Sequence, residues 1–390
     1  MQQHPETVAD SRRAPALAHD RGVSLFTSES VSEGHPDKVC DLIADSILDA
    51  YLEHDRQARV ACEVLCKDRT VVLAGEIGSR AARGDVDHDA IARAAITAIG
   101  YVDRDEPFHA DGVDIVDMLS AQSQEIASAV VNRTDQGAGD QGIMFGYASD
   151  ETPELMPLPI ALAHRLAHTL AEDRRAGTRP WLRPDSKTQV TVRYEGNTPV
   201  AVTHVVVSTQ HAANVKHHEI ADYVRRDLAP RALGTWLSDG IEFVVNPSGS
   251  FILGGPSADC GVTGRKIIVD SYGGAARHGG GAFSGKDPSK VDRSGAYFGR
   301  FVTRQLVRAG LARRAEIQVA YAIGVAKPLA VRVETFGTGD PAAAERFVAE
   351  FDFRPGAIIE RLGLLKPLYR QTTNYGHFGR PGLPWETDGN

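Results

Sequence analysis

Cysteine is scarce: the 390 residues hold four, Cys40, Cys62, Cys66 and Cys260. That is too few and too scattered for a disulfide framework. Cys62 and Cys66 stand four apart in a strand-like stretch, hence on one face of it. No second pair and no histidines at ligand spacing accompany them, so they read as reduced, partly buried thiols rather than a zinc site. Long apolar runs are also missing, and none approaches the ~18 residues needed to cross a bilayer. The opening MQQHPETVADSRRAPALAHDRGV has an Arg pair but no hydrophobic segment of the secretory type. Residues 1–23 are therefore expected to form a disordered extension. A basic excess is lacking too, since 43 Lys and Arg face 51 Asp and Glu for a formal charge of -8. No global field draws nucleic acid or an anionic membrane, and a cytoplasmic protein is the simplest expectation. Any polyanion must be held by a local cluster of cations.

With 42% hydrophobic and 24% charged residues the chain has the profile of an ordinary globular protein. Its length suits two to four domains at roughly 100–200 residues each. One order of elements recurs. A helix opens at Pro36–Asp37, with Val39, Ile43, Ile47 and Tyr51 on one face. The strand-like runs ARVACEVLCKD and TVVLAGEI follow, then the helical DHDAIARAAITAIG. The order returns as PIALAHRLAHTLAEDRRAG, KTQVTVRY, PVAVTHVVVSTQ and HHEIADYVRRDLA, with a turn at Glu195-Gly196-Asn197. It returns again as RSGAYFGRFVTRQLVRAG, AEIQVAYAIG, LAVRVETFG and PAAAERFVAEF. The leading strands begin near Arg59, Thr188 and Glu316, spacings of 129 and 128 residues. This predicts an α+β protein of three structurally similar α/β domains around a pseudo-threefold axis, each a sheet covered by helices.

Four segments are not explained by folding. In SESVSEGHPDKVCD, His35 precedes a Pro suited to the first helical position. It thus sits at a helix N-terminus favourable to anions, with Asp37 and Lys38 beside it. In GAGDQG, three glycines let backbone approach a ligand while Asp140 and Gln141 offer polar recognition. In GGPSADCGVTGRKIIVD, Asp259, Arg265 and Lys266 lie in a glycine-rich loop read as leading into a strand, IIVD. An Arg-Lys pair there can clamp phosphates. In HGGGAFSGKDPSKVDRS, Lys286 and Lys290 add positive charge, and Asp287 and Asp292 could hold a cation. Gly280, Gly285 and Lys286 nearly satisfy the P-loop spacing. However, Asp287 stands where that motif needs Ser or Thr, and Pro288 delays the next helix to about Asp292. Taken singly, each segment could be a plain loop. Together they describe a polyphosphate site with aspartates for magnesium.

SESVSEGHPDK, GAGDQGIMFGYA, GRKIIVD and HGGGAFSGKDPSKVDRS resemble the signature segments of the S-adenosylmethionine synthetase family, over about Leu25 to Trp385. The resemblance implies that family's three-domain fold, with an N-terminal domain over 24–122, a mobile active-site loop over 123–136, and domains over 137–254 and 255–390. It implies a transferase that makes S-adenosylmethionine from ATP and L-methionine, with Mg2+ (two per site) and K+ as cofactors. His35, Asp140, Lys187, Arg265 and Lys286 would be catalytic. Asp185, Lys187, Ser250, Phe251, Asp259, Arg265, Lys266, Ala282 and Lys286 would bind ATP together with His35. Glu76, Gln122, Asp259 and Lys290 would bind methionine. Asp37 and Asp292 would hold magnesium, and Glu63 potassium. The active sites would lie between the subunits of a homodimer, within a homotetramer. One segment departs from the family: QSQEIASAVVNRTDQ reads EIASAV where Asp and Gln-Gly are usual, and it is shorter.

Overall fold

The computed structural model of the protein describes residues 22–81, 84–122 and 136–388. Apart from residues 22, 23 and 136, the segments read as a terminal extension and an active-site loop lie outside the described residues. The first unit runs through β1 (Val23–Val31), α1 (Pro36–His54), β2 (Arg59–Lys67), β3 (Thr70–Gly78), α2 (His88–Ile99) and β4 (Asp114–Ala121). The second repeats this order with β5 (Gly142–Ser149), α3 (Leu158–Arg175), β6 (Leu182–Glu195), β7 (Thr198–His211), α4 (His217–Tyr223), α5 (Ala229–Leu233) and β8 (Glu242–Val245). The third comprises β9 (Gly261–Val262), α6 (Ile267–Asp270), α7 (Val291–Arg308), β10 (Arg314–Tyr321), β11 (Ala330–Glu334), α8 (Pro341–Val348) and α9 (Pro355–Leu362). In each unit the central pair of strands is an antiparallel hairpin. In the first two the closing strand then pairs parallel to the second arm of that hairpin.

The leading strand of each unit does not stay at home. β1 pairs antiparallel with β6, β5 with β10, and β9 with β2, so every unit donates its first strand to another unit's sheet. The sheet orders are β4-β3-β2-β9, β1-β6-β7-β8 and β11-β10-β5. The repeat seen in the sequence is thus a repeat of pairing as well as of element order. One long helix covers each sheet: α1 on β2, α3 on β1 and β6, α7 on β5 and β10. Strand alternation shows why. On β2, Val60, Cys62, Val64 and Cys66 turn to α1, while Ala61, Glu63 and Leu65 turn to the open face.

Two local expectations are corrected. IIVD is not a strand but the short helix α6, in which the Asp270 N–H donates to the Lys266 carbonyl at 2.8 Å. The β-branched run favours a strand. Tertiary context overrides it, because a turn of helix carries the Asp270 carboxylate inward to a buried lysine. HHEIADYVRRDLA is not one regular helix either. Its middle, Val224–Leu228, is a π-turn just before Pro230, a residue that cannot donate the helical hydrogen bond.

α1 ties the units together. Its aspartates recur every fourth residue, at 37, 41, 45 and 49, and form one stripe. Each accepts backbone N–H groups from the C-terminal part of the chain. Asp37 takes Val262 (3.0 Å), Asp41 takes Gly264 (2.9 Å), Asp45 takes Gly285 (2.8 Å), and Asp49 takes Tyr369 (2.9 Å) and Arg370 (2.8 Å). Asp45 also receives both arms of Arg293 at 2.7 Å, and both side chains are fully buried. Asp45→Ala would strand that guanidinium without a counter-charge, a loss of about 3–5 kcal/mol. Urea unfolding monitored by fluorescence should show the midpoint fall accordingly, and an unchanged midpoint would contradict the fastening role given to the stripe.

Candidate active site

The sequence-derived residues gather in two groups. The first surrounds the start of α1. His35 is extended and caps the helix, its Nδ1 accepting the Asp37 N–H at 3.2 Å. That bond leaves the ring proton on Nε2. Burial, together with the positive charges of Lys266, Lys187, Lys38 and Arg265, holds the ring pKa down to about 2. The imidazole is therefore a neutral donor, and its 3.9 Å approach to the Asp37 carboxylate is not an ion pair. Asp37 instead binds Lys266 Nζ at 2.7 Å, with Arg265 Nε 3.7 Å away. Lys187 is exposed on β6, in register with Val31 at the end of β1. Asp185 is buried. One of its oxygens accepts the Gly255 N–H at 2.8 Å and the other has no partner, and burial pushes its carboxyl up to about 6. Asp259 is exposed and folds back on the Cys260 N–H at 2.8 Å. Phe251 is pinned to the end of β7 by paired bonds with His211, and Ser250 beside it is exposed.

The second group lies at the start of α7 and on the open face of the N-terminal sheet. Lys286 stands opposite Ala61, Ala61 opposite Glu76, and Glu76 opposite Ser120, so these residues form one cross-strand row. Glu63 is two residues along from Ala61 on the same face, and burial raises its carboxyl. Lys286 Nζ binds Asp292 at 2.6 Å. Asp292 is packed so tightly on Gly281 that a Cβ there would fall 2.1 Å from its oxygen. Gln122 donates its N–H to Ile77 at 2.9 Å, and its side chain lies against Gly78. Asp140 is exposed, and the preceding Gly139 N–H donates to Ser289 at 3.2 Å. Lys290 stands at the residue before α7, without a capping bond, and pairs with Asp287. Asp287 is not available to a cation. It is fully buried and accepts the N–H groups of Val60 (2.8 Å) and Ser289 (2.9 Å), with Arg59 at 3.4 Å.

Ala282 packs against Gly264 at the seam between the groups, but among the described residues no hydrogen bond or ion pair joins them. No cluster of three His, Cys, Asp or Glu suited to a metal occurs among the described residues either. Asp37 and Asp292 stand singly, each carboxylate already facing an ammonium. This donor chemistry fits magnesium, which takes one or two carboxylates and completes its shell with water and phosphate oxygens.

Sequence reasoning missed what lies behind the first group. Lys38 is fully buried between Asp41 (2.9 Å) and Asp270 (2.6 Å), so it is a strut rather than a phosphate ligand. The legible signal was the aspartate stripe, whose four-residue period matches a helix face.

Three family models match the chain: the S-adenosylmethionine synthetase N-terminal domain over residues 23–124, the central domain over 135–251 and the C-terminal domain over 253–387. Among curated proteins, S-adenosylmethionine synthase from Sorangium cellulosum is 54% identical, over 93% of this chain and 87% of its own length. The Thermus thermophilus protein of that name is 52% identical, over 94% of this chain and 96% of its own. Another from Akkermansia muciniphila is 52% identical, over 93% and 94%.

The electrostatics of His35 carry a testable sign. Its folded pKa, about 2, lies below the ordinary 6.5. Its contribution to stability is therefore complete above the ordinary value and is lost as pH falls toward the folded one. In NMR titration its ring resonances should stay flat between pH 5 and 8. An inflection near 6.5 would show a protonated ring and remove the neutral-donor role.

Proposed function

From the premise that the chain belongs to the S-adenosylmethionine synthetase family, we propose that it joins L-methionine to the adenosyl group of ATP. The sulfur lone pair forms the new bond to C5′, and the C5′–O electrons leave with triphosphate. Hydrolysis then cuts the triphosphate to pyrophosphate and phosphate. The observation that carries this reading is the neutral His35 donor set among Lys187, Arg265 and Lys266 at the mouth of a helix. A thioether has no proton to lose, so the first step needs no general base. What it needs is charge placed in advance where the leaving oxygen becomes negative.

His35 Nε2–H would donate to the 5′ oxygen and the phosphates. Lys187, Arg265, Lys266 and Lys286 would surround the triphosphate. Phe251, Ser250, Asp185 and Ala282 would hold the nucleoside. Glu76, Gln122, Asp259 and Lys290 would fix methionine, and Asp140 would face the developing sulfonium. Magnesium, held by Asp37 and Asp292, would supply further positive charge at the phosphate oxygens. Potassium would sit at Glu63. Lys266 and Lys286, now paired with those two aspartates, are free to turn to phosphate once the carboxylates have another cation.

Two observations support a homodimer with shared sites. The candidate residues fall into two groups on one chain, and the second group lies on an exposed sheet face. That face also carries Leu65, Val116 and Met118, which are 38%, 45% and 62% exposed. A second copy laid on it would cover apolar surface and bring Glu63, Glu76 and Lys286 to its partner's His35. A homotetramer of two such pairs, in the cytoplasm, completes the proposal. No helix among the described residues is long and apolar enough to cross a membrane.

Incubation of the protein with ATP, methionine, Mg2+ and K+ should yield S-adenosylmethionine with equal pyrophosphate and phosphate, resolved by mass spectrometry and phosphate assay. ADP as product would replace the proposal with phosphoryl transfer. Lys286→Met should keep the fold and lose about 10²–10³ in rate, the scale for one preorganised charge donor. A rate within twofold of the parent would remove Lys286 from the site.

A further inference from the structure

Tyr101 reaches the candidate site from behind. Gly100 closes α2 in the left-handed region (φ 108°), and the turn sends the next side chain into the interior. There the Tyr101 ring packs edge-on against Phe108, with centroids 5.3 Å apart. Its O–H donates at 2.5 Å to the carbonyl of Gly34, the residue that leads into His35. The same hydroxyl lies against Gly255, where a Cβ would fall 1.9 Å from its oxygen. Gly255 in turn donates its N–H to the Asp185 carboxylate at 2.8 Å. Gly34 itself abuts Pro184, the residue before Asp185, so closely that a Cβ would come 2.3 Å from the Pro184 backbone. One buried hydroxyl therefore touches both the peptide before His35 and the turn that holds Asp185.

We propose that Tyr101 is a positioning residue that holds His35 and Asp185 at a fixed separation through Gly34 and Gly255. This rests on the proposed function, in which Asp185 holds the nucleoside and His35 donates to the 5′ oxygen. Covalent bonds fix the distance between those two points on ATP, so a donor that drifts relative to the nucleoside misses the leaving oxygen. His35 has little freedom to correct such a drift. Its Nδ1 is committed to the Asp37 N–H, so the ring follows the backbone. Other contacts hold the loop without joining His35 to Asp185 through one group. The Ser32 hydroxyl donates to Pro184 at 2.7 Å and accepts the Ser186 N–H at 2.8 Å. The buried Glu33 carboxylate is clamped by Arg174, Arg175 and Tyr375. These bonds keep the loop in place when the Tyr101 hydroxyl is removed, and what is lost is the orientation of the peptide that carries His35.

Tyr101→Phe keeps the ring and removes only the O–H. Steady-state kinetics of the full-length variant should show kcat for S-adenosylmethionine formation lowered by at least about tenfold, as for a misplaced reacting group. The KM for methionine should stay within about twofold, because uniform substrate binding is untouched. Tyr51→Phe is the control. It also loses one hydroxyl bond, to His88 Nε2 at 2.8 Å. It lies about 24 Å from His35 along α1, at ~1.5 Å per residue, and its kcat should match the parent's. A merely structural role would lower the urea midpoint of Tyr101→Phe and spare kcat. NMR of the histidine side-chain nitrogens supplies a readout that needs no turnover. The parent should show one His35 signal with the proton on Nε2, and Tyr101→Phe a shifted or broadened one. A parental kcat in Tyr101→Phe, or unchanged His35 resonances, would overturn the proposal. If the parent protein forms no S-adenosylmethionine, the proposed function falls, and the His35 resonances alone decide whether Tyr101 positions that ring.

Discussion

The stripe of aspartates on α1 is the interaction on which the remaining geometry depends. A carboxylate that accepts backbone N–H groups fixes a loop without demanding any side chain from it. Asp37, Asp41, Asp45 and Asp49 do this for four places in the C-terminal part of the chain, one after another along the helix. Three of those places, at residues 262, 264 and 285, lie just before Arg265, Lys266 and Lys286. The helix that carries His35 at its mouth therefore also sets where these candidate phosphate-binding cations stand. Neutralising buried partners accompany the stripe, with Lys38 beside Asp41 and Arg293 beside Asp45. Removing either cation would leave carboxylates in the interior without their charge balance.

The cyclic exchange of leading strands explains why three repeated units behave as one body. Had β1, β5 and β9 paired within their own units, each segment would own a complete sheet, and motion between units would be the default. Because β1 is an edge of the central sheet and β9 an edge of the N-terminal sheet, each unit is hydrogen-bonded into its neighbour. Boundaries drawn at 24–122, 137–254 and 255–390 follow chain order, whereas the sheets cross them. No periodicity in the sequence reveals that crossing. Strand partners are set by long-range packing, and a two-residue strand such as β9 leaves no pattern at all.

What was legible follows from physics that is local. Helix α1, the three hairpins and the cap at His35 are written in spacing, turn residues and one proline, and each appears where those signals place it. IIVD failed because a short β-branched run carries no information about the buried Lys38 that Asp270 must reach. The candidate motifs stand out for a related reason. Glycines at close approaches and cations in an acidic protein are expensive as structure, so they stand out from the folding pattern. Asp287 is the counter-example, since it occupies a motif yet serves only to knit β2 to the loop before α7. Motif membership marked the neighbourhood, and burial showed which of its charged residues are struts.

The lysine–aspartate pairs set the remaining step. Lys266 with buried Asp37, and Lys286 with half-buried Asp292, are pairs in which each charge restrains the other. A lone lysine facing a cluster of cations would repel its neighbours, and its ammonium would be hard to keep in place. Pairing holds each ammonium in place, near what the proposed function makes the phosphate path. Under the proposed function, a metal–nucleotide complex would offer the exchange that both partners favour: a harder cation for the carboxylate and a polyanion for the ammonium. The same charges that stabilise the free protein would thus be redistributed rather than created on such binding. Neutral His35 would take no part in that exchange, and under the proposed function its donor N–H would be available at the leaving oxygen before and after it.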